Sequence, residues 1–421
     1  MKQYRFMENK SGKIGLGVFL FAMLLLARDS MITTAILGLN RSQYLMLGLT
    51  CVCGLLFLFW NRNDWKQILC DRRVLAVVLC SVILLLPMAV KQDWQMMYFS
   101  ILFCLIFAVF LTFFTSVQET AWYYVVIATG LSTYSLVALY ILKPLAYAGT
   151  IAPSIFYNAA GEEFFNFGLS FVVTNLYWHR NFGMFREPGV YQFFILLALY
   201  LNNYAVSWRK SGHMWLVNLV LVATMVSTFA IGGVVEMGLL AVFLYFDKKW
   251  YREKWGKIMG VAVVAAAAAV LIHIIMEVNT PYFELTVYYE FYDMFVRLTT
   301  DSDSLVDRLS AIFTNAKLFL QNPLFGDTIA NVLHGTNHNT SSTLILYAVF
   351  GVLGGTLNVA AWVALAWKKD RSFLGNLLLL VILFMSFNTQ NLVADVFFWL
   401  FPMMALVERG LPKLKLPAKK V

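Results

Sequence analysis

The stretch RNFGMFREPG, residues 180–189, sets Arg180, Arg186 and the carboxylate of Glu187 beside a proline and two glycines. Pro188 disfavours helix at Glu187 and suits the first turn of a helix that follows. The free N–H groups and positive dipole end of such a helix favour an anion. Two guanidinium groups beside it would make a phosphate clamp, each charge-assisted bond contributing on the order of 1.5–3 kcal/mol. The plainer alternative keeps both arginines at the headgroup level of a membrane, paired with Glu187.

A second set follows later in the chain. DSDSLVDRLSAIFTNAKLFLQNP, residues 301–323, has the spacing of an amphipathic helix capped by Ser304 and stopped by Pro323. Leu305, Leu309, Ile312, Phe313, Ala316 and Leu320 are expected on its apolar face, with Arg308, Ala311 and Asn315 on the other. Beyond it stand His334, His338 and Asn339, directly before an apolar run. A histidine there can orient or deprotonate a hydroxyl, because its pKa lies near neutrality, or it can be a plain hydrogen-bonding anchor. A catalytic zinc needs about three protein ligands, and no H-E-x-x-H occurs, so no metal site is expected. Arg28, Asp29, Glu236 and Asp395 are charges inside or near apolar runs, the strongest hint of a transporter.

The elements that must position these groups are membrane helices. Of the 421 residues, 60% are hydrophobic and 13% charged, against about 25% charged in soluble domains. Apolar runs of hydrocarbon length fall near 14–37, 43–60, 74–90, 96–114, 121–142, 188–206, 214–230, 233–247, 258–276, 340–367, 374–390 and 392–407. The fold class expected is all-α: one polytopic transmembrane domain over residues 1–421, with about twelve spans. Only a Gly-Gly turn is expected between the seventh and the eighth.

Alternate loops starting from the N-terminus hold 23 of the 32 Lys and Arg, which predicts that both termini are cytoplasmic. Two long segments, 143–187 and 277–339, then lie outside. The net charge of +9 is spread over short loops in the way orientation signals are, which argues against nucleic acid as a partner. Cys51, Cys53, Cys70, Cys80 and Cys104 form no disulfide framework and are expected to be packing thiols. The basic, then apolar N-terminus is expected to be an uncleaved first helix.

Taken in order, these features resemble the O-antigen ligase and polymerase family, the Wzy-type polysaccharide polymerases and their ligase relatives. Arg180, Gly183, Phe185 and Pro188 are similar to its Arg-x-x-Gly-x-Phe-x-x-Pro segment. VSTFAIGGVVEMGLL is similar to its Ser/Thr-rich turn between short spans, without the arginine often found there. DRLSAIFTNAKLFLQNPLFGDT, with HGTNHNTSSTLILYAVFGVLGG after it, resembles the arginine before an amphipathic helix, the Asn-Pro-Leu-x-Gly turn, the His-Asn pair and a Gly-x-x-Gly helix. The separation of Arg308 from Gly326 departs from an Arg-x15-Gly pattern.

The resemblance implies a GT-C-like glycosyltransferase of the bacterial cytoplasmic membrane, without metal or other cofactor. It would polymerise undecaprenyl-diphosphate-linked oligosaccharides into surface polysaccharide, with such a lipid as both donor and acceptor. Membrane lipids, a flippase and a chain-length regulator are the implied partners. Arg180, Arg186 and Arg308 would hold the diphosphate, and His338, or Glu187 as its rival, would take the acceptor proton. Asn339 and His334 would support His338, and Phe182, Phe185, Tyr191 and Phe193 would line the path of the lipid tail. Transfer to another cell-surface acceptor, as in the ligases, and flipping of the lipid-linked sugar are the competing readings.

Overall fold

The computed structural model describes residues 10–38, 71–158, 161–175, 179–208, 211–252, 302–334 and 339–410, with isolated positions between 41 and 52 and at 257. The expected spans 43–60 and 258–276 lie mostly or wholly outside the described residues.

In chain order the helices are α1 (Lys10–Leu25), α2 (Arg72–Lys91), α3 (Met96–Leu111) and α4 (Val117–Val137). A π-helical stretch, Ala138–Leu142, carries α4 on into α5 (Lys143–Tyr147). Then come α6 (Pro188–Tyr204), α7 (Ser211–Ser227), α8 (Ile231–Asp247), α9 (Ser302–Gln321), α10 (Ile329–His334), α11 (Ser342–Ala366), α12 (Phe373–Asn388) and α13 (Val396–Gly410). Among the described residues, three helical stretches are long and apolar enough to cross a membrane: Arg72–Lys91, Val117–Tyr147 and Ser342–Ala366. Several shorter apolar helices accompany them.

Which helices face outward follows from which side chains find partners. Leu75, Val78, Leu79, Val82, Leu86 and Val90 of α2 are exposed along one face, as are Leu374, Leu377, Leu378 and Val381 of α12. Apolar stripes of that length are stable against lipid and unfavourable against water. Helices α6 and α13 lie inside: nearly every side chain of α6, and Val396–Met404 of α13, is buried. Helix α6 packs on α4, α7, α8 and α12, while α13 packs on α3, α4 and α11. The protein is a mostly helical, membrane-associated bundle.

Several expectations need correction. The first span stops at Leu25, because Arg28, Asp29 and Ser30 interrupt the apolar run, and Ser30 Oγ donates to the Leu25 carbonyl at 2.6 Å. The turn between α7 and α8 is Thr228–Ala230, with Phe229 at a positive φ, and the glycine pair lies inside the first turn of α8. There the missing Cβ of Gly233 makes room for Gln192. Helix α9 begins at Ser302, so Ser304 lies within its first turn and is not its cap.

The expected faces of α9 also need revising in part. Ala311 and Asn315 are buried, while Phe313 and Leu320 are 72% and 74% exposed. Small Ala311 permits close approach to α11, and the Asn315 amide finds a partner only on the inner side. Val306, Phe313 and Leu320 are left facing outward, while Ile312, Leu318 and Phe319 are half-buried.

Nor is the chain all-α. Residues expected to be a loop form an antiparallel sheet in the order β1 (Ser154–Tyr157), β2 (Glu163–Asn166), β3 (Phe171–Val173). Ile155 pairs with Phe165, and Phe165 in turn with Val172. Phe164, Phe171 and Phe182 bury themselves with Met31 beneath it.

Helix α11 is broken at Gly351, whose φ of 66° and ψ of −162° suit only glycine. The break frees backbone groups, and the 322–328 loop satisfies them. Val352 N donates to the Pro323 carbonyl at 2.7 Å, and Asp327 N to that of Ala348 at 2.6 Å. Lys91 Nζ, at the end of α2, reaches the carbonyls of Val349 (2.6 Å) and Asp327 (2.7 Å). Irregular backbone at such a depth is tolerated where protein groups replace the lost bonds.

Candidate anion-binding site

The segment before α6 is held on both sides by backbone bonds. Phe171 N donates to the Gly183 carbonyl (2.8 Å), Met31 N to that of Met184 (2.8 Å), and Arg186 N to that of Asp29 (3.0 Å). The Asn181 amide nitrogen donates to Ser135 Oγ and Ser227 Oγ, each at 3.0 Å, and its oxygen accepts from Gly183 N at 2.9 Å. Gly183 has a φ of +56°, and a Cβ there would come within 2.6 Å of the Tyr191 ring. The position therefore requires glycine. The loop is thus rigid where it delivers its charges.

Arg186 is anchored by a residue far away in sequence. Its Nε lies 2.9 Å from Asp29 Oδ1, with the Arg186 side chain 42% exposed and that of Asp29 only 4%. Glu187 Oε1 is farther, at 3.8 Å, on a side chain that is 49% exposed. The expected Arg186–Glu187 pair is therefore the weaker of the two. Asp29 holds the guanidinium by ion pairing at its buried Nε, while the side chain as a whole stays half-exposed. Arg180 turns aside, its Nε donating to the Thr228 carbonyl at 3.4 Å. The two arginines thus reach different groups before the start of α6, Arg186 the Asp29 carboxylate and Arg180 the Thr228 carbonyl.

Helices α6, α8, α11 and α13 all begin at this end of the bundle. Gln192 of α6 donates to Thr389 Oγ1 at 3.3 Å and packs on Gly232 and Gly233 at the start of α8. Gln390 lies over Gly189. Ser342, at the start of α11, donates to the Gln390 carbonyl at 2.6 Å. Asp395 Oδ1 accepts from Phe397 N at 2.8 Å, capping α13, and Asn388 Oδ1 accepts from Thr343 N at 2.9 Å, capping α11. Helices α6 and α8 have no side-chain cap. Their first N–H groups and dipoles therefore remain available to a negative charge. Behind Asp29, Asp395 is fully buried, within electrostatic reach of Asp29 and Arg28.

The remaining sequence candidates lie on α9, on α10 and before α11, or outside the described residues. Arg308 lies in α9, one turn before Ala311 and two before Asn315. His334 ends α10, and His338 lies outside the described residues. Asn339, among the described residues, pairs with Asn315 and Val332. Its Nδ2 donates to Asn315 Oδ1 (3.0 Å) and the Val332 carbonyl (2.8 Å), and its Oδ1 accepts from Asn315 Nδ2 (2.8 Å). It ties α9 and α10 to the start of α11.

Phe182, Phe185, Tyr191 and Phe193 sit within the protein interior, with Phe185 stacked on Phe194 at 4.3 Å, because the loop before α6 folds inward over the bundle. Among the thiols, Cys80 and Cys104 are buried as expected of packing residues, while Cys51 is exposed. Sequence reasoning missed Gln192 and Gln390, whose one signal is an amide within or beside an apolar run. It marked Asp29 as a charge without finding its partner.

Chemically, this end offers a half-exposed guanidinium on a buried carboxylate, a second arginine nearby and two uncapped helix N-termini. That combination suits a phosphate or diphosphate approaching from the membrane surface. No protein-family model, curated protein or solved structure matches the chain.

Proposed function

We propose that this chain is a membrane glycosyltransferase that polymerises undecaprenyl-diphosphate-linked oligosaccharides at the end of the bundle that bears Arg186. The reading rests on the sequence resemblance, and one observation carries it on the structural side. Arg186 is paired with Asp29 just before the uncapped start of α6 and stays half-exposed. In this reading the basic end of the bundle faces the cytoplasm of a bacterial cell, with both termini there.

The chemistry balances simply. The acceptor hydroxyl attacks the anomeric carbon of the donor and forms the new C–O bond. The old anomeric C–O bond breaks, and its electron pair leaves with the undecaprenyl diphosphate. The hydroxyl proton passes to His338, or to Glu187 as its rival. Arg186 and Arg180, with Arg308 as the third cation, offset the charge that gathers on the departing diphosphate. Holding donor and acceptor together supplies the proximity.

One set of observations favours a second reading. Asp395 and Glu236 are buried within the bundle, where charges commonly mark a transport path, so a flippase for the same lipid is the rival. Purified protein in vesicles, given a synthetic undecaprenyl-diphosphate oligosaccharide, separates them. A ladder of lengthened glycans that His338→Ala abolishes is the expected result. Movement of the lipid across the bilayer without bond formation establishes the flippase. Single transfer to an added non-repeat acceptor establishes a ligase.

A further inference from the structure

The opposite end of the bundle carries a separate cation cluster. Arg371, between α11 and α12, forks onto Asp247 at the end of α8, Nε to Oδ1 at 2.8 Å and Nη2 to Oδ2 at 3.2 Å. Tyr204 Oη donates to Asp247 Oδ2 at 2.6 Å. Three hydrogen bonds thus converge on the one carboxylate. Yet two more cations press on the same ring: Lys248 Nζ lies 4.7 Å, and Lys368 Nζ 4.6 Å, from the Tyr204 centroid, with the Arg371 guanidinium carbon at 4.8 Å. Among the described residues neither ammonium has a hydrogen bond or ion pair; exposed Asp370 lends Lys368 only a partial countercharge. Desolvation, then the charges of Lys248 and Arg371, hold Lys368 below the ordinary lysine range. Desolvation lowers Lys248 as well, and Arg371 adds to it against the pull of Asp247.

Three cations gathered about one aromatic ring with one carboxylate beside them leave a deficit of negative charge. Beside the cluster, Val242 and Phe246 of α8 and Phe373 and Leu374 of α12 are exposed apolar side chains, and α8 packs directly against α12. We propose that Lys248 and Lys368 bind the phosphate of an anionic phospholipid headgroup, with its acyl chains lying along the outward faces of α8 and α12. Phosphate and hydrocarbon are matched together by this juxtaposition, which a lone basic loop would not provide.

The test is lipid retention by the full-length protein, released from nanodiscs of equal parts phosphatidylglycerol and phosphatidylcholine into native mass spectrometry. The wild type should keep phosphatidylglycerol in preference. Lys248→Gln with Lys368→Gln should lower that preference about thirtyfold, from the usual contribution of a membrane-facing lysine. Lys248→Arg with Lys368→Arg should restore it. The neighbouring pair, Lys249→Gln with Lys369→Gln, should leave it within a few-fold. An equal loss from that neighbouring pair would mean a diffuse field and overturn the site. So would displacement of the lipid by inorganic phosphate, which would make a free anion the occupant.

Discussion

Replacing Arg186 with alanine strands Asp29. The carboxylate is 4% exposed and its Oδ1 faces Arg186 Nε at 2.9 Å, while the arginine itself is 42% exposed. Breaking a fully buried pair from one side costs about 3–5 kcal/mol and a surface pair about 0–1, so this mixed pair should cost about 2 kcal/mol. A loss of activity in Arg186→Ala would thus combine a missing phosphate ligand with a weakened fold. A double-mutant cycle separates them, with Arg186→Gln, Asp29→Asn and the double variant unfolded by dodecyl sulfate titration in mixed micelles. Each single change should destabilise, and the double should recover much of the loss, with a coupling of about 1–2 kcal/mol. The double variant should still fail to lengthen glycan, because the guanidinium is gone. A coupling under about 0.5 kcal/mol, the ordinary limit of additivity, would refute the anchoring of Arg186 by Asp29.

Two further perturbations test the frame. Gly351→Ala places a Cβ against the Leu324 carbonyl at a backbone conformation reserved for glycine, and it loosens the bonds to Pro323 and Ala348. A loss of about 3 kcal/mol or more is expected in the same titration, and a loss under about 1 would show that the break is not required. At Asp71, burial pushes the carboxyl up, but the bonds and charge of Arg73 outweigh it and hold the pKa below the ordinary carboxylate value. Because the folded pKa is the lower, this stabilisation is present above the unfolded value of about 3.9 and is lost as the pH falls through the folded one. The stability gap between wild type and Asp71→Asn should therefore be flat from neutral pH to about 5 and shrink below about 4. A gap that stays constant into acid would dismiss the Asp71–Arg73 pair as its source.

Apolar runs revealed most helices to within a few residues. Pro188 after extended Glu187 marked the start of α6, and Asn322-Pro323 the end of α9, because proline acts locally and needs no partner. Features that depend on distant partners were illegible. Arg186 meets Asp29 across 157 residues, and no local spacing could have paired them. The sheet lay hidden in a segment rich in aromatics, glycine and asparagine, since strands of three or four residues are fixed by register and not by periodicity. The revised faces of α9 have the same origin. Hydrophobicity says which side chains avoid water, but in a membrane both faces can avoid it, and small Ala311 with amide-paired Asn315 wins the inner position.

The uncapped starts of α6 and α8 give the Arg186 end a share of positive potential made from peptide groups alone. Such potential has no proton to lose and no side chain to immobilise. Changing acidity leaves it intact, and no single substitution removes it. Attraction of anions to this end would thus outlast the loss of either arginine, and what the arginines add is orientation of a particular one.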